Sequence, residues 1–208
     1  LAMHGVNDVI LSYPIVGPNV ERIVKLLCVH PDMALKVLAD DVEAVRSLSR
    51  ACVRFNRKIE VLIDVNPGMN RTGIAPDKRS VDLYRVIAES AGLIHGGIHY
   101  YDGHNHQPNF DERMAAAREG YDEVSRLREE IEALGHQVPR MVMGGTPTFP
   151  CYVRFPDTEV SPGTCFLQDW GYLKGLPDLP FVPAGLLLTR VISRPAKGIF
   201  TLDLGYKG

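Results

Sequence analysis

The residues best placed to do chemistry each follow an apolar run. Arg71 ends V-L-I-D-V-N-P-G-M-N-R-T-G, residues 61–73. Leu62, Ile63 and Val65 suit a strand covered on both faces. Pro67-Gly68 breaks that strand and Gly73 allows a second sharp turn. A guanidinium there offers a rigid planar fork of donors for a carboxylate, phosphate or phenolate, although a lone loop arginine is usually only a surface charge. Tyr101 offers a flat ring for stacking, and His104 follows on the same loop. Gly144-Gly145-Thr146 and Gly163-Thr164 set backbone N–H groups beside a hydroxyl, which suits a phosphate. Each glycine pair alone is a plain turn. No G-x-G-x-x-G or G-x-x-x-x-G-K-[ST] occurs, so a nucleotide fingerprint is absent. A different chemistry is suggested by His95, His99, His104 and His106, whose clustering would suit a zinc hydrolase. No H-E-x-x-H helix accompanies them.

The elements that must position these residues follow from periodicity. Strands are predicted over residues 8–16, 34–39, 59–66, 93–101, 140–144 and 160–169, the last interrupted by Pro162-Gly163. Helices are predicted over residues 19–29, 42–55, 78–91 and 110–134. In the last of these, Met114, Ala117, Tyr121, Val124, Leu127, Ile131 and Leu134 form one stripe that reads as core packing. The alternation argues for parallel βαβ units. The strand ends then deliver Tyr13, Asp40, Arg71, Tyr101 with His104, Thr146, and Gly163 with Thr164. A (β/α)8 barrel removes sheet edges but needs eight strands, two more than are present; an open doubly wound sheet is the alternative. Residues 174–185 read as a connector rich in Pro and Gly, and two strands follow at 186–193 and 198–205, antiparallel because no helix separates them, with Arg194-Pro-Ala-Lys197 as a hairpin-like turn. The domain boundary is placed near residue 178.

Composition sets outer limits. The chain has 208 residues, 45% hydrophobic and 23% charged, as in an ordinary globular protein. A net charge of −2 gives no electrostatic case for nucleic acid or an anionic membrane as partner. No apolar run approaches the roughly 20 residues of a membrane helix. The opening Leu-Ala-Met-His-Gly lacks the n-region and h-region of a signal peptide and reads like the last turn of a helix. Cys28, Cys52, Cys151 and Cys165 are scattered, which disfavours a zinc ribbon or redox pair and suits reduced thiols in a cytoplasmic protein.

Several stretches together resemble the D-threonine aldolase and D-serine dehydratase group, relatives of the N-terminal barrel of alanine racemase. They are D-V-I-L-S-Y-P-I-V-G (8–17), V-L-I-D-V-N-P-G-M-N-R-T-G (61–73), G-I-H-Y-Y-D-G-H (97–104), M-G-G-T-P-T (143–148), S-P-G-T (161–164) and T-R-V-I-S-R-P-A-K-G (189–198). They occur in the family's order across nearly the whole chain.

The resemblance implies a pyridoxal 5'-phosphate lyase with a TIM-type barrel and a C-terminal β domain, working as a homodimer on a small D-amino acid. Residues 1–178 would supply barrel strands three to eight, without the first two βα units, and residues 179–208 would begin the β domain. Arg71 would face the cofactor's phenolic oxygen or the substrate carboxylate, Tyr101 would lie against the ring, and Gly145, Thr146, Gly163 and Thr164 would hold the phosphate. His104 would stand near the substrate. Ser161 replaces the arginine that faces the pyridine nitrogen in the racemases, which makes racemase chemistry less expected. The Schiff-base lysine would precede residue 1, and none of Lys25, Lys36, Lys58, Lys78, Lys174, Lys197 or Lys207 sits in a matching motif. No metal ligand is assigned within the chain; in the complete enzyme a divalent metal (Mn, Mg or Zn) would be held by a later segment. Retro-aldol cleavage to glycine and an aldehyde leads, with D-serine dehydratase-like elimination as the alternative. A non-catalytic or truncated barrel that only binds the cofactor is the third reading.

Overall fold

Apolar runs alternate with amphipathic stretches, and strands alternate with helices accordingly in the computed structural model, which describes residues 4–205. The helical reading of residues 1–3, and Lys207, lie outside them. Two compact units are present, Leu1–Gly163 and Thr164–Gly208; the composition changes near residue 178, inside the second.

In the first unit, strands β1 (Asp8–Pro14), β2 (Ala34–Ala39), β3 (Ile59–Val65), β4 (Leu93–Tyr100), β5 (Met141–Met143) and β6 (Thr158–Val160) pair in parallel and in sequence order. They are joined through α1 (Pro18–Val29), α2 (Val42–Arg54), α3 (Lys78–Glu89), α4 (Phe110–Ala133) and the single turn α5 (Phe149–Tyr152). Sequential order decides between the two expected architectures. A doubly wound sheet reverses its strand order at a switch point, whereas a barrel adds each strand beside the last. Burial agrees. Val37, Val61, Ile63, Ile98 and Met141 are buried with the helix side chains Val24, Leu48, Leu83, Ile87 and Val124. On the opposite face Leu38, Leu62 and Val142 form a separate cluster with Ile10 and no helix residue. The helices therefore cover one face, and the sheet curls as six strands of a TIM-type barrel.

Local chemistry explains the helix starts. Asp41 caps α2 by accepting from the Ala44 N–H at 2.9 Å, a contact worth about 1 kcal/mol. The stripe on α4 is core, as expected: Ala117, Val124, Leu127 and Ile131 are buried. Leu134 ends it exposed, just past the last turn.

Strand β4 contains a bulge. Val61 pairs with His95, but Leu62 pairs with Gly97, leaving Gly96 unmatched. Gly97 has φ +116°, and a Cβ there would lie 2.1 Å from the Arg140 carbonyl oxygen. Only glycine fits that position. The bulge reverses the facing of the strand. His95 contacts Tyr84 of α3, with ring centroids 5.9 Å apart, while His99 pairs with Asp64 on the inner face.

The strand expected over residues 160–169 is corrected. Pairing covers only β6 and stops before Pro162, which has no N–H to donate. Residues Thr164–Phe166 form a 3-10 turn instead, and Asp169 caps the short helix α6 (Trp170–Gly175), which the glycines of that stretch conceal. In the second unit, β7 (Val191–Ala196) and β8 (Ile199–Leu202) pair antiparallel, as expected. The first of these begins later than the apolar run does and continues through Arg194-Pro-Ala, so the turn is confined to Lys197-Gly198 and not the expected 194–197; Leu186, Leu187 and Leu188 are exposed.

Candidate functional site

Arg71 is aimed by its own loop. Asn66 N–H donates to the Ile74 carbonyl and Ile74 N–H to the Asp64 carbonyl, both at 2.9 Å, closing the loop at its base. Asn66 Oδ1 accepts from the N–H groups of Gly68 and Asn70, each at 3.0 Å, an Asx turn. Asp40, just past β2, accepts from Gly73 N–H at 2.9 Å. Gly73 has φ +101°, and a Cβ there would approach Asn66 N to 2.6 Å.

So held, the Arg71 guanidinium lies over the Tyr101 ring, 4.6 Å from its centroid. Such stacking contributes about 0.5–2 kcal/mol. Among the described residues no carboxylate pairs with Arg71, which leaves its N–H groups for an anion. Two glycines make room for the ring: a Cβ would come within 2.5 Å of it at Gly103 and 2.7 Å at Gly145. Arg71 and Tyr101 line one pocket with Asp64, Val65, Pro67, Met69 and Thr72.

Asp64 and His99 are both buried, with Nδ1 and Oδ1 2.7 Å apart. A carboxylate can only accept, so Nδ1 carries the hydrogen. Oδ2 of Asp64 is buried without a partner, an unmet acceptor beside the pocket.

The glycine loop after β5 is tied down from several sides. Gly144 N–H donates to the Tyr100 carbonyl at 3.0 Å, and Ser161 Oγ donates to the Gly144 carbonyl at 2.9 Å. Gly145 N–H donates to Thr148 Oγ1 at 3.2 Å, so Gly145 contributes room for the ring and its amide is already used. Thr146 is buried next to it. Gly163 is exposed, and a Cβ there would meet nothing within 4 Å. Thr164 belongs to the second unit, where it opens the 3-10 turn.

The structure thus brings Arg71, Tyr101 and Gly145 together, with Thr146 next in the chain and Ser161 bonded to the same loop. His104 is exposed and lines a neighbouring cleft with Pro67, Tyr100, Glu119, Glu123 and Arg126. The four histidines are not gathered. The bulge turns His95 outward and His99 inward, and no group of three or more metal-binding side chains forms among the described residues. Sequence reasoning missed the Asp64–His99 pair, because the surplus residue in β4 breaks the two-residue alternation that would have aligned it. It also passed over Asp102, Thr148 and Tyr152, which are buried beneath the site.

This donor set fits pyridoxal phosphate. An unpaired guanidinium suits an anionic oxygen, the ring offers a stacking surface, a glycine-threonine loop adjoins it, and one buried carboxylate oxygen awaits a donor.

Comparison with known proteins agrees with this geometry. Over 207 residues the chain is 24% identical to a D-threonine aldolase from Arthrobacter sp., covering 98% of this chain and 54% of that protein. The crystal structure of D-threonine aldolase from Filomicrobium marinum superposes with a TM-score of 0.83 at 27% identity, over 98% of this chain and 55% of that one. D-threo-3-hydroxyaspartate dehydratase from Delftia sp. HT23 shares the fold, with a TM-score of 0.69 at 21% identity over 78% of this chain and 43% of that one. The chain therefore spans about half the length of these relatives. The family model described as alanine racemase, N-terminal domain, matches residues 21–168, and the chain belongs to that family.

Proposed function

We propose that this chain is the cofactor-binding barrel segment of a pyridoxal phosphate lyase acting on D-3-hydroxy amino acids. The observation that carries the reading is the Arg71 guanidinium stacked on Tyr101, at the ends of two adjacent strands. Likeness to D-threonine aldolases over nearly the whole chain supports retro-aldol cleavage of D-threonine-like substrates to glycine and an aldehyde. The fold shared with the dehydratase keeps β-elimination as the second reading.

Pyridoxal phosphate, when bound, supplies an electron sink for the charge left at Cα. The chain's own residues bind and orient. Arg71 holds an anionic oxygen of cofactor or substrate through its planar fork. Tyr101 provides the face against which an aromatic ring stacks. Thr146 and Gly163 are assigned to the phosphate, with Gly145 leaving room for the ring beside them, and Ser161 to the ring nitrogen. Since Ser161 spends its hydrogen on the Gly144 carbonyl, it offers that nitrogen an acceptor. His104 is assigned to the outer part of the substrate. For the whole protein we propose a homodimer and a divalent metal held outside these residues.

The test is addition of pyridoxal phosphate to the whole protein, followed by assay with D-threonine and D-serine. Cofactor-dependent glycine and acetaldehyde from D-threonine is the expected result. Pyruvate from D-serine alone would favour elimination, and absence of any absorbance change on adding the cofactor would overturn both.

A further inference from the structure

Directly after Tyr101 stands Asp102, a carboxylate with no exposure to solvent. Its Oδ1 accepts from Thr148 Oγ1 at 2.5 Å. Its Oδ2 accepts from Tyr152 Oη at 3.0 Å and from Asn105 Nδ2 at 3.2 Å. The three donors come from two segments: Asn105 from its own loop, and Thr148 and Tyr152 from the loop and turn after β5. A buried carboxylate with three donors is costly to disturb, because losing any of them leaves charge uncompensated. It is also a directional tie. With its hydrogen committed to Asp102, Thr148 Oγ1 can only accept, and it accepts from Gly145 N–H at 3.2 Å. The peptide before Gly145 is thereby fixed. Gly144 completes the fit: with φ +76°, its backbone lies so close to Tyr152 that a Cβ would approach the ring to 2.6 Å.

We propose that Asp102 is a positioning residue for phosphate recognition. Through Thr148 it fixes the Gly144-Gly145-Thr146 loop against the segment that carries Tyr101, and so sets the affinity for a ligand's phosphate without touching it. The proposal rests on the cofactor reading above. Burial, followed by the Asp102 charge, pushes the Tyr152 phenol well above its ordinary range, so Tyr152 stays a donor to Asp102 at every working pH.

The two readings separate when the whole protein is titrated with pyridoxal phosphate and, in parallel, with pyridoxal, which lacks the phosphate. Wild type should prefer the phosphorylated form. Thr148→Val keeps the shape and deletes the hydroxyl, and Asp102→Ala deletes the carboxylate. Both should weaken pyridoxal phosphate binding at least tenfold while leaving pyridoxal within twofold, and Thr148→Ser should restore the preference. Should Asp102→Ala fail to fold, the valine and serine pair decides the matter. Equal weakening of both ligands, or a preference unchanged in Thr148→Val, would overturn the positioning role. A wild type without any preference would instead sink the cofactor reading, and the role of Asp102 with it.

Discussion

Arg71 matters because of what it touches. Lysine at this position keeps the charge but loses the planar fork and most of the stacking on Tyr101. Arg71→Lys should therefore weaken pyridoxal phosphate binding about tenfold, or about 1.4 kcal/mol, in an absorbance titration. The same residue shows how far single positions are legible. Arg71 stood out in the sequence as a donor fork on a turn, but its partner ring and the carboxylate that steadies its loop, Asp40, lie on other strands. Asp64 is the clearest omission: its importance comes from a buried, unpartnered oxygen, a property of the folded chain that no spacing encodes. The cysteines give a separate check. Burial raises the Cys52 thiol to about 11, so at pH 8 it stays protonated and unreactive. A disulfide reagent at pH 8 should label the exposed Cys28 first and leave Cys52 unmodified until the chain unfolds.

Two glycines separate the roles of the elements. At Gly145 an added Cβ meets the edge of the Tyr101 ring, which can swing aside; at Gly97 it meets the backbone carbonyl of Arg140. Gly145→Ala should thus cost pyridoxal phosphate affinity while shifting the thermal midpoint by less than about 4 °C. Gly97→Ala combines that collision with a positive φ and should cost more than about 3 kcal/mol, read as loss of the folded fraction in a denaturant series. The helices and long strands were legible because burial of one face imposes a period, and they fall within a residue or two of their expected limits. The failures are local. The four-residue α5 is too short to show a period, and the six-residue α6 lies between the expected strand end at Asp169 and the connector over 174–185, overlapping only its first two residues. The Pro162 break was visible, yet the pairing lies before it.

At the scale of the molecule, the strand order is the most consequential property. Periodicity alone gave six strands in both candidate architectures; the motif resemblance implied the barrel, and sequential pairing with helices on one face bears it out. The inner face also carries a charge that sets acid stability. Lys36 is 2% exposed and pairs with Asp8 across β1 and β2. Its hydrogen bond holds the Asp8 carboxyl below the ordinary value, while desolvation opposes the shift. The folded carboxyl thus has the lower pKa, so the stabilisation is present above about pH 4 and is lost as pH falls through the folded value. Asp8→Asn should lower the thermal midpoint at pH 7, and the difference from wild type should shrink progressively as pH falls below about 4. The bulge in β4 has a consequence for how the chain tolerates change in length. Gly96 is the one residue of the strand without a partner on β3. Its deletion leaves Asp64 opposite His99 and Val65 opposite Tyr100, whereas a deletion beyond Gly97 exchanges the inner and outer faces and carries Tyr101 away from Arg71. Strand β4 can drift in length at a single address, and the active end is shielded from the drift by the glycine next to it.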